Sequence, residues 1–308
     1  MGKLRLVSTK KYSFGFVVLA VLVLVLLVGL SLFFIIRYNK KYGNMPTDAE
    51  LQQAWDAQEY DSVRTLADRV LEVKPFDARM HALRGFATYY IASAQTSETD
   101  LLVYIDDCIR SLRKAIHLID EKELPRLYYI LGKAYYQKGE FYYDLAAAYL
   151  EKVAELGYEF EDLHAFRGMA YSQLGETERA ISAFTEQLSD DTDEFLLYAL
   201  AKNYFAIQNY DKAKMYLTEV TEKARDMLVQ LDCKSLLAEI YLSENLYDKA
   251  RATYQDILRI DDTYADAYYG LGVVYEYLGD VVRARAEWRN ALKANPLHAR
   301  SLEKLSLN

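Results

Sequence analysis

The chain has 308 residues, 52% of them hydrophobic and 27% charged, with a formal net charge of −8. That apolar content excludes an intrinsically disordered chain, and the acidic balance excludes the broad basic face that a phosphate backbone needs. The first 41 residues contain seven Lys and Arg and no Asp or Glu, so residues 42–308 hold 30 basic against 45 acidic side chains, and no nucleic-acid partner is expected.

Residues 1–13 read as a basic tail with Lys3, Arg5, Lys10 and Lys11. Residues 14–36 are then uncharged, with nothing more polar than Ser31. At ~1.5 Å per residue such a helix reaches roughly 35 Å, which predicts a transmembrane helix over 14–36. The run ends in Phe33, Phe34, Ile35, Ile36 and Arg37 without the small-residue pattern of a cleavage site, which favours a retained anchor over a signal peptide. Four basic residues precede the span and three follow it, counting Arg37, Lys40 and Lys41. The positive-inside rule then sets the N-terminus in the cytoplasm, so the expected placement is a single-pass inner-membrane protein with its large domain in the periplasm. Residues 37–46 form a linker.

From residue 47 the chain repeats itself. The clearest copy is Tyr268, Leu271, Gly272, Tyr275, Gly279, Ala284, Trp288, Ala291 and Pro296. Earlier copies place Leu237, Ala238, Tyr241, Ala250 and Tyr254, then Leu200, Ala201, Tyr204 and Ala213, in the same slots. Before them come Gly168, Tyr171, Gly175, Ala180 and Phe184, and then Tyr128, Leu131, Gly132, Tyr135 and Gly139. His81-Ala82-Leu83-Arg84-Gly85 echoes His164-Ala165-Phe166-Arg167-Gly168, with a polar insertion expected around Ser93 to Asp100. Trp55, Tyr60, Val63, Ala67, Val70 and Pro75 mark a shortened first copy.

This pattern resembles the tetratricopeptide-repeat family. The resemblance implies an all-α solenoid of about seven helix-turn-helix repeats over 47–298, closed by a capping tail at 299–308. Small residues at the eighth and twentieth positions mark where two helices approach closely, and the aromatic at the eleventh fills the gap between neighbours. Pro75, Pro125 and Pro296 are expected between helices.

No enzyme is expected. The glycines are accounted for by the repeat and make no phosphate-binding or nucleophile motif. His81, His117, His164 and His298 lack metal-ligand spacing, and Cys108 and Cys233 read as buried packing thiols that do not bridge, so neither metal nor cofactor is expected. Acidic pairs such as Asp106-Asp107 and Asp190-Asp191 read as solvated surface.

In the family the first helix of each repeat, helix A, lines a concave groove with its second, fifth, ninth, twelfth and thirteenth positions. Carried onto this chain, that implies a protein-binding groove containing Phe86, Tyr89, Tyr129, Lys133, Tyr136, Tyr198, Lys202, Phe205 and Tyr269. The partner would be a protein or peptide, helical or with an acidic terminus whose carboxylate meets Lys133 or Lys202; self-association stays open. The sixth positions Leu83, Ile130, Phe166, Ala199, Leu236 and Gly270 lack the charges and amides of the clamp for chaperone C-termini. The layout is similar to bacterial inner-membrane repeat proteins of envelope machines, such as the periplasmic collar of flagellar motors. The implied function is a membrane-anchored scaffold or adaptor. A chaperone-like accessory of protein export and a cytosol-facing docking receptor are the alternatives.

Overall fold

A computed structural model describes residues 14–43, 45–189 and 192–306, with side chains omitted for 14–21 and 38–42. The basic tail 1–13, the Asp190-Asp191 pair and the last two residues of the expected cap lie outside the described residues. Those described contain sixteen α-helices and no strand. Helix α1 runs Phe14–Tyr42, and its described apolar side chains from Leu22 to Ile36 are exposed and outside the core.

The expected single-pass placement in an inner membrane is corrected here: among the described residues no helix is long and apolar enough to cross a membrane.

The rest is a series of paired helices, divided into two compact units at residues 127 and 128. Unit 1 contains α2 (Asp48–Asp56), α3 (Tyr60–Val73), α4 (Ala78–Ser93) and α5 (Glu98–Ile116). The division falls within α6 (Leu124–Lys138). Unit 2 continues with α7 (Tyr143–Glu155), α8 (Leu163–Gln173), α9 (Thr177–Glu186), α10 (Glu194–Ala206) and α11 (Tyr210–Lys223). It ends with α12 (Met227–Ser243), α13 (Tyr247–Ile260), α14 (Ala265–Tyr277), α15 (Val281–Ala294) and α16 (Ala299–Ser306). Even-numbered helices from α2 to α14 are the A helices, and each is followed by its B helix.

Local signals set the boundaries. Thr47 and Glu50 form a capping box at α2, while Asp77, Ser97, Asp193 and Asp280 cap α4, α5, α10 and α15. Two expectations shift. The polar stretch after Ser93 makes only a short turn before Ser97 caps a 19-residue α5, so the extra residues lengthen a helix. Pro125 lies in the first turn of α6, where its missing N–H costs no intrahelical bond.

Five of the A-to-B turns place one residue in the left-handed helical region. Gly175 and Gly279 supply it, with φ of 73° and 79°, but Gln58, Gln208 and Asn245 adopt the same conformation, with φ of 57°, 59° and 63°. In four of the pairs a glycine of helix A stands where a side chain would collide. A Cβ on Gly85 would lie 2.4 Å from Leu112, on Gly132 2.5 Å from Leu150, and on Gly168 2.4 Å from Phe184. On Gly272 it would lie 2.3 Å from Trp288 Nε1 and 3.0 Å from the Ala284 carbonyl. Those bulky partners are thereby driven into the core, and Phe184 and Trp288 are each 1% exposed.

A second device recurs in each unit. Arg84 donates to Asp68 at 2.5 Å and to Asp107 at 2.9 Å, tying α4 to α3 and α5. Arg167, its counterpart in the echoed sequence, donates to Glu151 at 3.1 Å and Glu186 at 2.8 Å, tying α8 to α7 and α9. His164 joins the second cluster, 3.0 Å from Glu186, whereas His81 Nε2 lies 2.9 Å from the Pro75 carbonyl. Burial by itself would raise the Glu151 carboxyl; hydrogen bonds from Tyr171 and Arg167, with the guanidinium charge, hold it below the usual carboxylate range.

Gly272→Ala is expected to lower unfolding free energy by about 1–3 kcal/mol, because the rigid Ala284 carbonyl cannot give way, as read by urea denaturation. Gln208→Gly should raise it by up to about 1 kcal/mol by relieving a left-handed side-chain residue. Because the Glu151 pKa is depressed on folding, its contribution is present above the unfolded value near ~4.3 and is lost as pH falls through the lower folded value. An acid-unfolding curve should therefore become less steep in that range in Glu151→Gln.

Candidate functional site

The A helices of unit 2 touch one another in series, α8 with α10, α10 with α12 and α12 with α14, so their outer residues share one face. The expected groove residues there do not behave alike. Tyr129 stacks on Phe160 with centroids 4.2 Å apart and donates its hydroxyl to Asp162. Lys133 Nζ donates to Asp162 at 2.6 Å and lies 4.6 Å over Phe166, which Tyr136 meets edge-on at 5.6 Å. These side chains knit α6 to α8, and the Lys133 charge is already matched. Burial and the neighbouring Tyr143 raise the Tyr136 hydroxyl pKa.

Further along, Tyr198 is half-buried, and burial followed by the carboxylates of Asp232, Glu239 and Asp266 pushes its hydroxyl well up. Lys202 is exposed, 5.9 Å over the Tyr198 ring and in no ion pair with a described residue. Phe205 and Tyr269 line a cleft of about 240 Å³ with Glu239, Leu242, Val273 and Arg300. Arg300 lies 4.6 Å over Tyr269.

Unit 1 contributes a larger cleft of about 430 Å³ between α2, α4 and the start of α6. Leu51, Trp55, Leu83 and Phe86 form its apolar lining. Arg126 is exposed over it, its guanidinium carbon 4.8 Å from the Phe86 centroid and 5.8 Å from that of Trp55. No described residue forms an ion pair with Arg126, whereas Arg79, on the same cleft, pairs with Asp48 at 3.0 Å. Phe86 is thus placed in a cleft, while Tyr89 is 5% exposed and packs edge-on against Tyr90.

Reading only the fifth, ninth and twelfth positions misses Arg79, Arg126, Asp162, Asp232 and Asp266. All five occupy the second position of their repeats, three residues before the fifth, so repeat spacing alone would have found them. Arg79 and Arg126 are the basic members, in unit 1, and Asp162, Asp232 and Asp266 the acidic ones, in unit 2, where α10 has Phe195 in that place. Tyr264 donates to Asp232 at 2.5 Å; His298 Nε2–H donates to Asp266 at 3.0 Å. Burial favours the neutral form of Asp266, but the His298 hydrogen bond and the Arg300 charge outweigh it and hold the carboxyl below its usual range. Both cysteines are buried free thiols, and burial, followed by Asp232, pushes Cys233 up to about 12. Among the described residues no group of three His, Cys, Asp or Glu is placed to hold a metal ion.

Comparison with known proteins bears on the repeat. Family profiles described as tetratricopeptide repeat match residues 162–189, 198–265 and 265–298. Protein bimA of Emericella nidulans is 24% identical over 180 residues, covering 58% of this chain and 22% of that protein. Protein O-mannosyl-transferase TMTC1 of Homo sapiens is 26% identical over 176 residues, 54% of this chain and 19% of that protein. The chain thus spans about a fifth of the length of these curated relatives. The crystal structure of the C-terminal part of a repeat-containing protein from Cytophaga hutchinsonii superposes with a TM-score of 0.57 at 16% identity, covering 82% of this chain and 97% of that one. Tetratricopeptide repeats are what this chain carries, in an all-helical solenoid fold that forms a scaffold for protein–protein interaction.

Proposed function

We propose that the chain is a scaffold that recognises a partner protein through the A-helix cleft of unit 1, taking a bulky apolar side chain with a carboxylate beside it. The observation that carries this reading is Arg126. It is an exposed guanidinium stacked on two aromatic rings, without an ion pair among the described residues, in a chain where acidic groups outnumber basic ones. A guanidinium fixed in this way has its donors turned to a single task, bidentate pairing with a carboxylate. The lining of Leu51, Trp55, Leu83 and Phe86 supplies the apolar area that anchors a recognition segment, and aromatic and arginine side chains are what interface hot spots use.

Lys202, over the Tyr198 ring, is the remaining groove cation of unit 2 and serves as the comparison site for the charge reversal below. Lys133 is given no such role, because Asp162 already matches its charge.

Both Arg126 and Gln52 sit at the cleft without filling the core, so Arg126→Glu and Gln52→Arg should leave the melting temperature within about 2 °C of the parent, as surface changes do. The charge reversal is expected to weaken partner binding at least ~10-fold by isothermal calorimetry, about 1.4 kcal/mol. Unchanged affinity in Arg126→Glu, with a loss in Lys202→Glu instead, would move recognition to unit 2; unchanged affinity in both would remove the groove reading.

A further inference from the structure

The last helix, α16, deserves a function of its own. It follows α15 where the A helix of another repeat would come, and its residues continue the repeat spacing: Asp232, Asp266 and Arg300 are successive at steps of 34. In this last place the sign of the second-position charge is reversed. Arg300 bonds Asp266 on α14 and reaches past it to Glu239 on α12 at 3.3 Å. Four residues on, Lys304 donates to Glu276 on α14 at 2.6 Å. One turn of a helix therefore presents two cations to three carboxylates on neighbouring A helices.

Apolar burial contributes little to this docking. Of α16 only Ser301 is fully buried, where it pairs with His298, while Leu302 is 46% exposed. Ion pairs this exposed add little each and weaken with salt. A helix of eight residues has no stability of its own in water. Such a segment belongs to the low end of the local-stability range, opening well before the pairs beneath it. The surface under it is already built: Glu239, Asp266 and Glu276 stand on helices held by their own cores, next to the cleft walled by Phe205, Leu242 and Tyr269.

We infer that the acidic A-helix face of unit 2 is a docking surface for a helical partner segment with basic residues four positions apart, and that α16 is its resident, exchangeable occupant. Charge complementarity selects the occupant. A carboxylate-bearing segment is repelled here, so this face and the unit 1 cleft take partners of opposite sign.

The test uses the full chain and a fluorescein-labelled peptide of its own residues 295–308. In Arg300→Ala/Lys304→Ala the resident helix is loosened, and the peptide is expected to bind at least ~10-fold more tightly than to the parent, by anisotropy at ~50 mM salt. Adding Glu239→Gln/Asp266→Asn/Glu276→Gln should abolish that gain, and a peptide with both cations changed to Glu should not bind. Equal affinity for loosened and parent chains of unchanged helix content, or affinity indifferent to the three carboxylates, overturns the inference. If the loosened chain does not fold, hydrogen exchange of the parent decides: α16 amides exchanging ahead of α14 and α15 support exchangeability, and exchange in step with them overturns it. None of these readouts depends on Arg126.

Discussion

The interaction on which the repeat depends is a side chain that is not there. Helix A comes so close to its B helix that a methyl group at Gly85, Gly132, Gly168 or Gly272 would overlap Leu112, Leu150, Phe184 or Trp288. Close approach lets one large residue per pair fill the interior, which is how a two-helix unit buries enough apolar area to stack on its neighbour. Gly270 shows the constraint from the other side: a Cβ there would strike Tyr254 of the preceding B helix. The same geometry fixes the direction in which helix A presents its remaining residues, and therefore what it can recognise.

On that remaining surface the second position carries the chemistry. Arg79 and Arg126 hold it in unit 1, and Asp162, Asp232 and Asp266 in unit 2. Two such charges of opposite sign meet between Asp48 and Arg79 and between Asp266 and Arg300. At Arg126, which forms no ion pair with a described residue, an aromatic-lined cleft is left with an open cation. Many tyrosines that look like interface anchors in the sequence serve instead as mortar between A helices, and Tyr129, bonded to Asp162 and stacked on Phe160, is the clearest case.

The helix pairs were legible because small and aromatic residues recur at fixed spacing, and even the echo of His81-Ala82-Leu83-Arg84 in His164-Ala165-Phe166-Arg167 marked a real device, the buried arginine latch. What spacing could not show is which charges meet. Asp162 lies 29 residues from Lys133 and Glu239 lies 61 from Arg300, separations at which only the packed helices reveal a contact. The turn residues Gln58, Gln208 and Asn245 escaped notice because left-handed backbone is read from glycine. The apolar run at 14–36 was read by its length and lack of charge, whereas among the described residues no helix is long and apolar enough to cross a membrane.

Site-specific photocrosslinking tests most directly whether recognition uses the A-helix face of unit 1. Benzoylphenylalanine would replace Gln52, inside the cleft, and in a separate chain Glu72, an exposed residue of α3 outside it. A covalent adduct of defined mass from position 52 and none from position 72 is the expected result. Adducts from position 72 alone, or equally from both, would contradict the assignment of that face to partner binding.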